Sequence, residues 1–340
     1  MLDPKSLPQP KTIPASESAS FSRTDFLRII NESYQPLVIK GFASNWEIVQ
    51  AAKSARSTKD LGQYLLQHLQ STALSLTRIP HDQQSRMFYQ SDLQKMNFGI
   101  ARLPSLDCFD RMLQAHSDAD YAVQCVPIEQ HFPTLLPGLR NSLVPPSTSP
   151  FIWLGNKVIV APHFDEDDNL AVVVCGRRRF TLFPPQQTKN LYVGPLDVTP
   201  AGQPISLVNV LNPDLEVHPK YQEAHANALS VELEVGDAIY IPTPWWHHVQ
   251  SLSDFNVLIN YWWSETPKGC EPFPVLLHAI QSISHMSDDR KDAWQAIMQH
   301  YLFSQDESRS AHLPDGAKGV LNPLSQQQLV SFKAWLKQYL

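Results

Sequence analysis

Between residues 121 and 263 the apolar positions come in short runs, such as Tyr121-Ala122-Val123, Ile239-Tyr240-Ile241 and Val257-Leu258-Ile259, separated by Pro, Gly, Asn and Asp. Short runs cut by turn-forming residues predict an antiparallel barrel of short strands. Upstream, residues 1–22 read as an extended lead-in rich in Pro and Ser. Residues 21–33 read as a short helix, opened by Ser22-Arg23-Thr24-Asp25 and carrying Phe26, Leu27, Ile29 and Ile30. Residues 36–41 predict a strand entering a turn, and 58–69 a helix with Leu61, Tyr64, Leu65 and Leu69 spaced by three and four.

The stretch 191–228 holds Pro195, Pro200, Pro204, Pro213 and Pro219. That is too much proline for regular structure, so loops at the mouth of the barrel are expected, where substrates are commonly selected. Helical spacing returns in 273–286, 289–301 and 325–340, and Val275, Leu276, Leu277, Ala279, Ile280 and Ile283 form a wide apolar surface. The predicted fold class is therefore mainly β with flanking helices. Residues 1–120 would pack on the barrel as an N-terminal extension of helical and strand elements, 121–265 would form the barrel itself, and 266–340 a C-terminal helical segment.

The chemistry concentrates in His163-Phe164-Asp165. Residues i and i+2 of a strand project to one side, so His163 and Asp165 can converge on one ion while Phe164 faces away. A third ligand must come from another strand, and His247 or His248, adjacent and hence on opposite faces, is available for it. Two imidazoles and one carboxylate are the donor set that holds a non-haem iron on one face and leaves the other open.

The surrounding text resembles the JmjC-type cupin-like (cupin 8) oxygenases, in particular the subgroup similar to the asparaginyl hydroxylase of the hypoxia-inducible factor pathway. The matching segments are Trp153-Leu154-Gly155, Ala161-Pro162-His163-Phe164-Asp165-Glu166-Asp167-Asp168-Asn169, and Gly176-Arg177-Arg178-Arg179-Phe180-Thr181-Leu182-Phe183-Pro184-Pro185. They continue through Gly236-Asp237 and Trp245-Trp246-His247-His248-Val249 to Asn260-Tyr261-Trp262-Trp263, in family order, with a weaker likeness over Pro36-Leu37-Val38-Ile39-Lys40-Gly41. The resemblance implies a double-stranded β-helix (jelly-roll or cupin barrel), iron(II) as cofactor and 2-oxoglutarate as cosubstrate.

It also implies residue roles. His247 becomes the distal ligand beside His163 and Asp165, and Arg178, two positions after the hairpin glycine, becomes the partner of the 2-oxoglutarate C5 carboxylate. The subgroup usually has lysine there; arginine's planar fork meets a carboxylate with two hydrogen bonds. Arg177 and Arg179 have the opposite parity and read as a solvated turn. Asn169 and Asn260 become polar lining, and Tyr121 a cosubstrate contact. Val160 stands where much of the subgroup has a threonine donor, so one polar contact is missing or supplied from elsewhere. Trp262 would help wall the site from water. The implied activity is dioxygenation, hydroxylating a side chain of a protein or peptide with release of succinate and CO2, and the C-terminal helices would form a homodimer interface.

Composition narrows the picture. A net charge of -6 gives no basic footprint for nucleic acid, so no DNA partner is expected. Cys108, Cys125, Cys175 and Cys270 show neither Cys-X-X-Cys pairing nor zinc-like spacing, which suits a reducing compartment. With no apolar run long enough to span a bilayer and no signal-peptide core, the expectation is a cytoplasmic protein with no membrane partner. Three other readings share the core pattern: a metal-binding cupin with redox-neutral chemistry, a hydroxylase of small molecules or modified RNA, and a pseudoenzyme that binds without turnover.

Overall fold

A strand that is apolar at every position, rather than at alternate ones, is buried on both faces. Residues 170–174 and 257–259 have that composition, and in the computed structural model they lie at the centre of a sandwich. The structure describes residues 2–81, 84–114, 118–304 and 307–339. It divides into two units, Met1–Phe273 and Pro274–Leu340.

In chain order the strands of the first unit are β1 (Lys11–Ile13), β2 (Leu37–Ile39), β3 (Ala73–Pro80), β4 (Arg86–Met87), β5 (Gly99–Pro104), β6 (Ala119–Pro127) and β7 (Pro150–Gly155). They continue with β8 (Ile159–His163), β9 (Asp168–Cys175), β10 (Arg178–Phe183), β11 (Leu229–Leu233), β12 (Ala238–Ile241), β13 (Trp246–Ser251) and β14 (Asn256–Trp263). Nine strands form one sheet in the order β1-β2-β12-β9-β14-β7-β6-β3-β5, and five form another in the order β11-β10-β13-β8-β4. Among the described residues only β1 with β2 and β4 with β8 pair in parallel.

The inner faces of the two sheets share one core: Ala171, Val173, Ile239 and Leu258 of the large sheet meet Phe180, Leu182, Val231 and Leu233 of the small one. The alternate residues of the large sheet, among them Leu170, Val172, Ile259 and Tyr261, face a second core with Phe26, Ile48, Leu65 and Phe109 from the helical elements. Burial on both sides explains why β9 and β14 lack polar alternation. This two-sheet sandwich matches the jelly-roll class that the family resemblance implies.

The first 120 residues do more than pack on this sandwich, because β1, β2, β3 and β5 extend the large sheet and β4 the small one. The helix Arg23–Ser33 starts where Ser22 and Asp25 exchange side-chain-to-backbone hydrogen bonds, a capping box. Thr58–His68 is capped by Ser57 in the same way on one side.

The proline-rich insert departs from expectation. It carries the helix Tyr221–Ala226, and its apolar residues cover the outer face of the small sheet rather than only lining a mouth. Leu191, Val208, Val210 and Tyr221 pack with Phe183 and Trp246, and Ile205 packs with Tyr89 and Ala161. Prolines ended the strands and helices, but the hydrophobic residues between them still needed burial.

In the second unit the described helices include Pro272–Ile283, which begins just before the unit boundary and ends short of the predicted 286, Asp288–Met298, which continues as a π-helical turn over Gln299–Phe303 and so covers the predicted 289–301, and Gln326–Leu336, shorter than predicted. Leu340, the predicted end of the last one, lies outside the described residues. Among the described residues no helix is long and apolar enough to cross a membrane.

Candidate metal centre

β8 and β13 run antiparallel, and their register sets His163 directly opposite His247. Two residues further along β13, Val249 pairs with Val160, so Ala161 and Pro162 together stand opposite the single His248. This is a β-bulge, and it decides where His163 points. Val158 and Val160 face inward against Ala122 of the large sheet, while Ala161 packs outward with Tyr89 and Ile205. Strict alternation would then send His163 outward. The extra residue returns it to the side of His247, which is inward because its neighbour on β10, Leu182, belongs to the inter-sheet core. The two imidazole centroids lie 4.2 Å apart.

Asp165 is not on the strand. β8 ends at His163, so the i, i+2 parity that suggested the pair is not what brings the carboxylate in. It is held instead by hydrogen bonds. Thr243 Oγ1 donates to the Asp165 main-chain oxygen (2.7 Å), and Trp262 Nε1 (3.0 Å) and Asn169 Nδ2 (3.1 Å) both donate to Asp165 Oδ2. Asp165 Oδ2 sits 3.6 Å from His247 Nε2. One donor atom from each of His163, Asp165 and His247 falls within 4.8 Å of the others, a spacing that a single metal ion can span. Phe164 turns away and packs on Trp246 and Phe273.

Both histidines turn Nδ1 to a main-chain carbonyl. His163 Nδ1 lies 3.0 Å from the Ala161 carbonyl and His247 Nδ1 3.2 Å from the Trp245 carbonyl. A carbonyl only accepts, so each Nδ1 carries a proton, and Nε2 is the ring nitrogen left to meet an ion. Burial, with neighbouring His163, pushes His247 down to about 4, leaving it neutral near pH 7. His248 faces the other side of the small sheet, opposite Thr181, and burial pushes it to about 3.

Arg178 alternates with Phe180 and Leu182 and therefore enters the same inter-sheet space as His247. Its Nε is buried without a partner, no carboxylate lies against it among the described residues, and burial lowers its pKa to about 10. Arg177 and Arg179 point outward and both pair with Glu232, so they form an ion-paired cluster rather than a freely solvated turn. The preceding Gly176 does not close a hairpin within one sheet. It hands the chain from β9 in the large sheet to β10 in the small one, at φ +75° and with Asn256 Oδ1 and the Phe255 carbonyl so close that a Cβ would collide.

Asn169 and Asn260 also face inward, but each already has protein partners. Trp153 Nε1 donates to Asn260 Oδ1 (2.7 Å), Asn260 Nδ2 to Asn169 Oδ1 (3.3 Å), and Asn169 in turn to Asp165. Tyr121 is not brought to this space. It belongs to the helix-covered core on the opposite face of the large sheet, where Arg111 reaches its hydroxyl at 3.4 Å. Its alternate neighbour Ala122 is the inward one. Val160 faces inward and offers no donor, as its side chain requires.

Sequence reasoning named Trp262 only as a wall. Its ring does stand edge-on to Trp153 and tilted against Phe151, yet its N–H is also a direct partner of Asp165. The parity of Trp262 with Asn260 along β14 was the available signal. Thr243 had none, since it acts from a loop across the barrel.

A family model described as a cupin-like domain matches residues 23–269. HSPB1-associated protein 1 of Mus musculus is 37% identical over 113 residues, covering 33% of this chain and 23% of that protein. The tRNA wybutosine-synthesizing protein 5 of Mus musculus is 34% identical over 108 residues, covering 32% of this chain and 31% of that protein. The chain thus spans less than a third of the length of these curated relatives. Among solved structures, that of ycfD from E. coli is similar with a TM-score of 0.41 and 16% identity, over 92% of this chain and 67% of that one.

Proposed function

The chain belongs to the cupin-like domain family, and from that premise we propose that it is an iron(II)- and 2-oxoglutarate-dependent dioxygenase that hydroxylates a side chain of a protein or peptide. His163, Asp165 and His247 are the iron ligands in this reading, two nitrogens and one oxygen that suit a divalent first-row metal. Arg178 holds the distal carboxylate of the 2-oxo acid. The observation that carries the reading is that Arg178 enters the inter-sheet space faced by the three donors with its buried Nε unmet. A buried cation is stable only beside an anion, and a dicarboxylic 2-oxo acid brings one.

When bound, the iron supplies the oxygen activation and oxidative decarboxylation that yield succinate and CO2. The protein's part is positional. The Ala161 and Trp245 carbonyls fix the imidazole tautomers, Asn169 and Asn260 give the space a polar wall, and Trp153, Trp262 and Phe151 keep bulk water from it. Arg178 orients the cosubstrate by a two-point contact that needs no help from Val160.

A protein or peptide substrate is supported by the net charge of -6, which disfavours a polyanion. The match to a tRNA wybutosine-synthesizing protein favours the second reading, a modified-RNA substrate. Four free cysteines support a cytoplasmic setting. The exposed apolar side chains of the second unit, including Ile297, Leu302, Phe303 and Trp335, support a homodimer through the C-terminal helices.

The test is an anaerobic titration of the iron(II)-loaded protein with 2-oxoglutarate, watching for the visible charge-transfer band of a chelated 2-oxo acid. The expected result is a band that is absent in Asp165→Ala. Iron bound with no band in the unaltered protein would overturn the 2-oxoglutarate reading in favour of another 2-oxo acid or of redox-neutral cupin chemistry.

A further inference from the structure

The carboxylate of Asp165 is held asymmetrically. Oδ2 accepts two hydrogen bonds, from Trp262 Nε1 and from Asn169 Nδ2, whereas no donor reaches Oδ1 among the described residues. The Asn169 amide is itself fixed. Its oxygen accepts from Asn260 Nδ2, and the Asn260 oxygen accepts from Trp153 Nε1. Each donor in this series is an N–H and each acceptor an amide or carboxylate oxygen, so the direction of every bond is determined. Two indoles therefore converge on one oxygen, Trp262 directly and Trp153 through two amides.

The fold makes this convergence available. Trp153, Asn260 and Asn169 lie on β7, β14 and β9, three strands that are neighbours in the large sheet, and Trp262 follows Asn260 on the same face of β14. Asn260 and Asn169 are 1% and 7% exposed, so both amides are kept from water and depend on these partners. The two routes are also coupled mechanically, because the rings of Trp153 and Trp262 meet edge to face at 5.8 Å.

We propose that Trp262 is a positioning residue for Asp165, and that the Trp153-Asn260-Asn169 relay is its second arm, the two together fixing the angle at which the carboxylate is presented to a metal. This rests on the metal reading given above. A free carboxylate turns about its Cβ–Cγ bond. One whose Oδ2 is held by two donors keeps a single orientation, with that oxygen 3.6 Å from His247 Nε2. Losing either donor frees the rotation and changes how the carboxylate meets an ion shared with His163 and His247.

The probe is Co(II) alone, titrated into the metal-free full-length protein and read by binding affinity and by the visible ligand-field spectrum, which reports coordination number. Trp262→Phe keeps the ring that touches Trp153 and Phe151 and removes only the N–H. It is expected to weaken Co(II) binding about 10- to 100-fold and to change the spectrum, with the metal-free melting temperature little altered. Trp153→Phe, acting through two amides, is expected to shift both readouts in the same direction by less. Should Trp262→Phe not fold, Asn169→Ser tests the other donor to Oδ2. Wild-type affinity and spectrum in Trp262→Phe, or in Asn169→Ser where that one is used, would overturn the proposal alone. Unaltered protein that takes up no Co(II) would overturn the metal reading and this proposal with it.

Discussion

Arg178 lies between the sheets with a buried Nε that meets no acceptor. Burial lowers its pKa to about 10, so near pH 7 it still carries its charge. A folded-state pKa below the ordinary arginine value means that folding disfavours the charged form, and the ligand-free protein is destabilised at every pH below that range. Arg178→Met should therefore raise the stability of the ligand-free protein, by on the order of 2 kcal/mol, and abolish the rise in melting temperature that 2-oxoglutarate gives the metal-loaded form. Thermal melts with and without cosubstrate measure both, and a full ligand-induced rise in the variant would remove Arg178 from the site. Arg178 was singled out by the family resemblance, two positions after Gly176, and not by its own surroundings, since Arg177 and Arg179 flank it with the same charge. Tyr121 was misplaced because a half-buried strand tyrosine gives no sign of which face it takes, and a one-residue difference in register sends it to the helix side.

At the level of elements, the sequence located the strands that carry His163 and His247 but not the device that aims them. The bulge at Ala161 and Pro162 depends on pairing between β8 and β13, residues some eighty positions apart, and no local pattern encodes a register. The insert over the small sheet was misjudged for a related reason: proline content reports the absence of regular structure, not the absence of burial. Arg86 is the tether for this cover. It donates to the Val208 carbonyl at 2.8 Å, stacks over Phe88 at 3.6 Å, and is pushed to about 10 by burial. Arg86→Met would leave a carbonyl unpaired, a loss of about 1–3 kcal/mol, and should speed proteolysis within 191–228. Acid should act in the same direction. Burial holds His218 and His225 below the ordinary histidine value, so their contribution is present above the unfolded pKa of about 6.5 and is lost as pH falls below it. Limited proteolysis at pH 7.5 and pH 5 checks both effects, and an insert cut equally slowly in all four conditions would show that neither Arg86 nor the histidines secure it.

For the molecule as a whole, the apolar surface is distributed unevenly. In Met1–Phe273 the large hydrophobic side chains are mostly buried, whereas Pro274–Leu340 leaves Val275, Trp294, Ile297, Leu302, Phe303, Val330 and Trp335 exposed on helices whose buried residues are few. A monomer seldom presents so many large apolar groups in so short a segment, and a self-complementary pairing of two copies is the simplest way to cover them. The full-length protein is therefore expected to run as a dimer in light scattering at micromolar concentration. Phe303→Asp combined with Trp335→Asp should give a monomer, because a carboxylate buried at an apolar contact without a partner opposes association by several kcal/mol. Co(II) uptake should survive in that variant, since His163, Asp165 and His247 all belong to Met1–Phe273. A wild-type protein that remains monomeric across the concentration range would remove the homodimer and leave this surface for a different partner, while a monomeric variant that also fails to bind Co(II) would mean that assembly supports the metal centre itself.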